Sequence, residues 1–208
     1  MLFQNREEAA ELLADRLSKY RGQNPLVLGI PRGAVPMAKI IADALEGEVD
    51  VVLVRKLRAP ANPEFAIGAV DETGWTYLGD YASQVAGSPQ YIEAEKAEQL
   101  EVMRERRASY TPVRPPLDPA GRIVIVVDDG LATGSTMIAA LHALRAKHPQ
   151  KLICAVPVAP PDTLDKVEPY ADEVVCLSAP AMFYAVGQFY QSFPQVSDEE
   201  VIALLAAD

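Results

Sequence analysis

The run Val124-Ile125-Val126-Val127-Asp128-Asp129-Gly130-Leu131-Ala132-Thr133-Gly134-Ser135-Thr136-Met137 constrains the fold more than any other stretch of the chain. Four β-branched residues lead into two adjacent carboxylates, a small-residue turn follows, and Ile138 to Ala146 is an Ala- and Leu-rich segment of helical character. The order is buried strand, acidic edge, glycine-containing turn, helix start. An open α/β sheet presents a phosphate site in this way, because N–H groups at a helix start lack intrahelical partners and point outward at an anion.

The same grammar recurs along the chain. Leu26 to Ile30 is a short apolar strand that runs into Pro31-Arg32-Gly33-Ala34, and a helix follows from Val35 to Leu45. Val49 to Val54 is a further buried strand ending on Arg55-Lys56. Two adjacent cations suit the carboxyl end of a strand, where ligands of open α/β sheets bind. Leu152 to Val158 and Val174 to Leu177 are strands, separated by a short helix from Asp162 to Tyr170 with Asp162 as its cap. A hairpin of Phe65 to Val70 and Trp75 to Leu78, turning around Asp71-Glu72-Thr73-Gly74, interrupts the alternation. The pattern predicts the α/β class: a mainly parallel doubly wound sheet with helices on both faces, plus a small hairpin and hood region.

Three more helices frame this core. Asn5-Arg6-Glu7-Glu8 has capping-box spacing and opens a helix to about Tyr20. Tyr91 to Arg107 is helical, with Ile92, Leu100 and Met103 as its apolar face and Arg104, Arg106 and Arg107 in its last turn, where cations complement the macrodipole. Thr111 to Pro119 contains four prolines and reads as an extended linker, and Ser197-Asp198-Glu199-Glu200 caps a last helix to about Ala206. A chain of 208 residues accommodates one domain over 1–208, with a Pro-punctuated loop at about 57–67, which the family resemblance described below makes a flexible loop, a helical insertion at about 89–110 and a C-terminal segment at about 180–208, which the same resemblance makes a hood.

A net charge of −10 argues against a broad nucleic-acid footprint but leaves room for a local basic pocket. Met1 to Tyr20 is charged and amphipathic, and no apolar stretch has membrane-spanning length, so a cytoplasmic protein without membrane contact is expected. Cys154 and Cys176 sit in apolar runs and read as small core residues of a reducing compartment. Neither a Walker A sequence nor G-x-G-x-x-G is present.

The opening run resembles the ribose-phosphate signature of the type I phosphoribosyltransferases, which use 5-phosphoribosyl 1-pyrophosphate (PRPP). Val124 to Val127 match its aliphatic residues, Asp128 and Asp129 its acid pair, and Leu131, Ala132, Thr133, Gly134, Ser135 and Thr136 the rest. Gly130 stands where the family has an aliphatic residue, a change expected to loosen the loop without removing a ligand. The resemblance implies that Asp128 and Asp129 accept hydrogen bonds from ribose hydroxyls. Ala132, Thr133, Gly134, Ser135 and Thr136 would wrap the 5′-phosphate.

By the same resemblance, Pro31-Arg32-Gly33 is similar to the family's pyrophosphate loop, with Gly33 permitting an unusual backbone, and Arg55 and Lys56 stand where it places cations facing pyrophosphate. Catalysis is expected to fall to Asp128, Asp129, Arg55 and Lys56. Mg²⁺ is the expected cofactor, held through pyrophosphate and ribose oxygens and by Asp128 or Asp129. Leu57 to Ile67 corresponds to the loop that closes over substrate, with Glu64 either joining the site or remaining on the surface. Phe183, Tyr184, Phe189, Tyr190 and Phe193 are candidates for an acceptor hood, or equally for a seal on one edge of the core.

The resemblance implies transfer of phosphoribose to an unidentified nitrogen acceptor, by a protein that forms a homodimer. Its alternative is a non-catalytic sensor of PRPP or a nucleotide. A receiver-like phosphoacceptor also pairs acids at a strand end, but near its first strand. His142 and His148 read as solvent-facing, without a partner acid.

Overall fold

A computed structural model describes residues 1–63, 65–80, 82 and 88–207. Helix α1 (Arg6–Arg16) starts where the Asn5 side chain accepts the Glu8 N–H at 2.9 Å, and a 3-10 turn at Ser18–Tyr20 continues it. Then come β1 (Leu26–Gly29), α2 (Ala34–Leu45), β2 (Glu48–Val51), β3 (Val54–Arg58), β4 (Ala66–Asp71) and β5 (Thr76–Leu78). Helix α3 (Pro89–Tyr110) precedes β6 (Ile123–Val127), α4 (Ser135–Arg145), β7 (Lys151–Val158), α5 (Pro161–Val167), β8 (Glu173–Ser178) and α6 (Asp198–Ala206). None of the described helices is long and apolar enough to cross a membrane.

Five strands form a parallel sheet in the order β2-β1-β6-β7-β8. The continuous apolar runs are explained by burial on both faces. In β6, Ile125 and Val127 face Leu13 and Leu17 of the α1 segment and Met37 and Ile41 of α2, whereas Val124 and Val126 face Met137, Ile138 and Leu141 of α4. Strand β1 lies between β2 and β6, so the chain leaves it in one direction and returns on the other side. Such a switch point opens a crevice at the carboxyl ends of the two strands, here Ile30 to Gly33 and Asp128 onward.

The expected strand Val49 to Val54 is two strands. β2 ends at Val51, and β3 leaves the central sheet for a separate antiparallel sheet, β3-β4-β5. An apolar run broken only by Asp50 carries no mark of this change of partner. Arg55 and Lys56 therefore lie inside β3, opposite Val70 and Ala69, and do not end a central strand. The expected loop over 57–67 is shorter at both ends, since Leu57 and Arg58 belong to β3 and Ala66 and Ile67 to β4. Glu64 lies outside the described residues, as do 81 and 83–87.

The small sheet buries Val54 and Ala69 toward α4, and Leu57, Ile67 and Val70 toward Met103 and Tyr110 of α3 and Val201 and Leu205 of α6. Helix α6 is capped by Ser197 and Glu200 as its sequence indicates, yet packs on α2 and α3. The short helix before β8 is capped by Pro160 rather than by Asp162. His142 is not solvent-facing as expected: its ring stacks on Trp75, with centroids 3.6 Å apart. His148 is exposed.

Candidate functional site

The acid pair follows β6 directly. The Asp129 N–H donates to Asp128 Oδ1 at 2.9 Å, and Arg6 Nε donates to Asp129 Oδ2 at 3.2 Å. Both carboxylates keep some solvent contact, yet burial is the largest influence on each and pushes both above the ordinary carboxylate range. The charge of Asp129 raises Asp128 further, whereas Arg6 opposes the rise at Asp129.

The turn after the acids is fixed from several sides. Leu131 N–H donates to Val158 O at 2.9 Å, and Thr163 Oγ1 donates to Ala132 O at 2.6 Å. Gly134 caps α4 at φ 82°, a left-handed conformation that favours glycine, and a Cβ there would come within 2.8 Å of Thr163 Cγ2. Thr133 Oγ1 donates to Ser135 Oγ at 3.1 Å. Gly130 is buried, and a Cβ on it would lie 2.7 Å from Val186 Cγ1 and 3.0 Å from Val158 Cγ1. Close packing thus replaces the looseness expected of Gly130.

Across the crevice, the Pro31–Arg32 peptide is cis. An unusual peptide is thus present in the loop where the resemblance implied one, but it lies at Arg32, while Gly33 itself has ordinary helical angles. What its missing side chain provides is clearance: a Cβ would stand 2.7 Å from Asp129 Oδ2 and 2.9 Å from Arg6 Nη2. Arg55 is half-buried, and burial together with Arg106, Arg58 and Arg32 lowers its pKa. Its Nε donates to Gln99 Oε1 at 2.9 Å. Arg58 is clamped instead, by Glu95 at 2.8 Å and Glu98 at 3.0 Å.

Two cavities meet at Asp128. One of about 270 Å³ is lined by Pro31, Arg32, Gly33, Arg55, Lys56 and Arg58 with both aspartates. The other, of about 480 Å³, contains the Gly130–Thr136 turn and is closed by Phe65, Pro160, Phe183, Tyr184 and Val186. Asp128, Lys56 and Thr136 line both.

Of the expected hood, Phe183 and Tyr184 reach this cavity. Phe189 and Tyr190 do not line it. They are buried in the core against α1 and α2, with Tyr190 OH donating to Asp129 O at 2.7 Å.

Sequence reasoning missed Arg6, Glu95, Gln99 and Asp198. Glu95 and Gln99 carried a readable signal, since they share the helical stripe of Ile92 and Met103 and are buried there. Arg6 carried none, lying 123 residues from its partner Asp129.

A doubly wound parallel sheet, with an acid pair, a small-residue turn at a helix start and an arginine cluster across the switch point, agrees with the fold expected from the sequence. A family model for the phosphoribosyl transferase domain matches residues 1–193, and the chain belongs to that family. Two Mycobacterium tuberculosis proteins, from strains CDC 1551 / Oshkosh and ATCC 25618 / H37Rv, carry phosphoribosyl transferase in their names. Each is 42% identical over 207 residues, covering 98% of this chain and 46% of its own. The chain thus spans about half the length of these relatives. The crystal structure of TT1426 from Thermus thermophilus is similar throughout, at 46% identity and a TM-score of 0.81, covering 99% of this chain and 98% of that one.

Proposed function

We propose that the chain transfers a phosphoribosyl group from PRPP to a nitrogen acceptor and releases pyrophosphate. The observation that carries this reading is the pair of cavities meeting at Asp128 and Lys56, one against a phosphate-type turn and the other against Arg32 and Arg55. A donor with a phosphate at one end and a pyrophosphate at the other matches that division.

In the proposed mode, N–H groups and hydroxyls of Ala132 to Thr136 hold the 5′-phosphate, and Asp128 and Asp129 accept from ribose hydroxyls. The bond from the anomeric carbon to pyrophosphate oxygen breaks with its electron pair leaving on oxygen. The acceptor nitrogen supplies the pair for the new bond and loses a proton, for which the Asp128–Asp129 pair is the proposed acceptor. Arg32, Arg55 and Lys56 neutralise the leaving group, and the carboxylates face the positive charge developing on the sugar. The acceptor enters beside Phe183 and Tyr184, whose rings offer stacking faces.

The described residues contain no group of three or more His, Cys, Asp or Glu able to hold a metal ion. The carboxylates of Asp128 and Asp129 are hard oxygen donors of the kind Mg²⁺ takes, and one of them would hold the ion together with substrate oxygens. When bound, the ion would supply further neutralisation of pyrophosphate charge.

Pyrophosphate release with Mg²⁺, PRPP and a panel of nitrogenous bases tests the proposal. Release dependent on one base is the expected result. PRPP binding without release for any acceptor would instead point to a PRPP-binding regulator.

A further inference from the structure

Arg6 is an unusual residue for its place. It occupies the first turn of α1, where the helix dipole disfavours a cation, and its side chain is only 10% exposed. Neither the helix nor an apolar core gains from a guanidinium there, and a buried ion pair contributes little net stability. Its contacts lie elsewhere.

Arg6 Nε donates to Asp129 Oδ2 at 3.2 Å, and Nη1 donates to the Pro194 carbonyl. The guanidinium carbon stands 3.9 Å from the centroid of the Phe193 ring. Gly33 lies directly against the ion pair, with no space for a Cβ between them. Tyr190, in the same C-terminal segment as Phe193, holds the Asp129 carbonyl at 2.7 Å. One planar fork therefore links α1 to Asp129 and to residues 193–194, with Gly33 packed against the pair and Tyr190 holding Asp129 from the other end of the same segment.

We propose that Arg6 is a positioning residue for phosphoribosyl transfer. It orients Asp129 and, through Gly33 and residues 190–194, sets the separation between the ribose face and the pyrophosphate loop. This rests on the donor reading given above. A lysine retains the charge but lacks the rigid fork that serves Asp129 and the Pro194 carbonyl together.

The test is a double-mutant cycle read by calorimetric binding of PRPP with Mg²⁺, alongside melting temperatures. Arg6→Lys should melt close to the unaltered protein yet bind PRPP about tenfold more weakly, a loss within the range for directly coupled residues. In an Asp129→Asn background the same change should cost almost nothing further. Equal losses in both backgrounds, or unchanged affinity in Arg6→Lys, would overturn the inference.

Should Arg6→Lys fail to fold, Phe193→Leu removes only the ring beneath the guanidinium. It should show the same coupling to Asp129 with a loss of about threefold, and additive losses would again overturn the inference. Failure of the unaltered protein to bind PRPP would overturn the donor reading itself, so the two failures are distinguishable.

Discussion

Asp198 Oδ2 stands 3.8 Å from Arg32 Nη1, so the first residue of α6 places an anion against the loop proposed to face pyrophosphate. The same carboxylate lies 3.7 Å from Arg106 Nε and accepts the Tyr110 hydroxyl hydrogen bond at 2.8 Å. A phosphate arriving at Arg32 competes with it. Asp198→Asn should therefore tighten pyrophosphate binding by about two- to threefold, a modest gain because the pair is partly exposed and screened. Calorimetry with inorganic pyrophosphate checks this, and unchanged or weaker binding would remove Asp198 as a competitor.

Replacing Asp128 and Asp129 together by asparagine should weaken PRPP binding by about tenfold or more, through loss of charge-assisted hydrogen bonds. Asp128→Asn alone should raise the melting temperature at pH 7. Burial and the neighbouring Asp129 disfavour the ionised form of Asp128, and the amide removes that penalty. A lower melting temperature, or undiminished PRPP affinity in the double variant, would contradict this account of the acids.

Arg55 sits in a field of like charges and donates to the Gln99 amide oxygen. Arg55→Met should cost PRPP affinity about tenfold or more while leaving ribose 5-phosphate binding within about twofold, as expected if its charge meets pyrophosphate alone. Parallel calorimetric titrations decide the matter. Equal losses for the two ligands would place Arg55 elsewhere in the reaction.

Gly130→Ala asks the 130–136 turn to accept a methyl group already in the space of Val186 and Val158. The variant should lose about 1–3 kcal/mol of stability, the usual cost of overpacking. Denaturant unfolding measures this directly. A neutral result would mean that Val186 and the residues around it move away easily.

Asp172 accepts both Arg145 guanidinium hydrogen bonds, at 3.0 and 3.1 Å, and the Leu152 N–H at 2.8 Å, which together hold its carboxyl below the usual value of 3.8. A depressed carboxylate contributes stability that is fully present above the unfolded value and lost as pH falls through the folded one. The stability gap between the unaltered protein and Asp172→Asn should therefore hold from neutral pH to about pH 4 and narrow below it. Melting curves across that range would show it, and a gap independent of pH would assign the effect to geometry rather than charge.

The parts of the fold legible in sequence were those encoded locally. The Val124–Thr136 run states its strand, turn and helix start within one short window, and the capping residues Asn5 and Ser197 mark helix starts where they stand. What escaped was decided by partners distant in the chain. Val49 to Val54 is uniformly apolar apart from Asp50, and only pairing with Ala66–Asp71 reveals that its end joins another sheet. Tyr190 looks like any aromatic fit for stacking, until the Phe3 bridge and the Asp129 carbonyl place it in the core. Arg6 and Asp198 read as helix-start residues, because nothing local records the side chains that meet them.

The transfer of β3 out of the central sheet has a mechanical meaning. The groups proposed to hold the sugar stand on the large sheet, while Arg55 and Lys56 stand on the small one. Between β2 and β3 the chain crosses in two buried residues, Val52 and Leu53. Under the proposed function, the departing group is held from both sides of that seam, by Arg32 after β1 and by Arg55 and Lys56 of β3, so the grip on it depends on how Val52 and Leu53 set one sheet against the other.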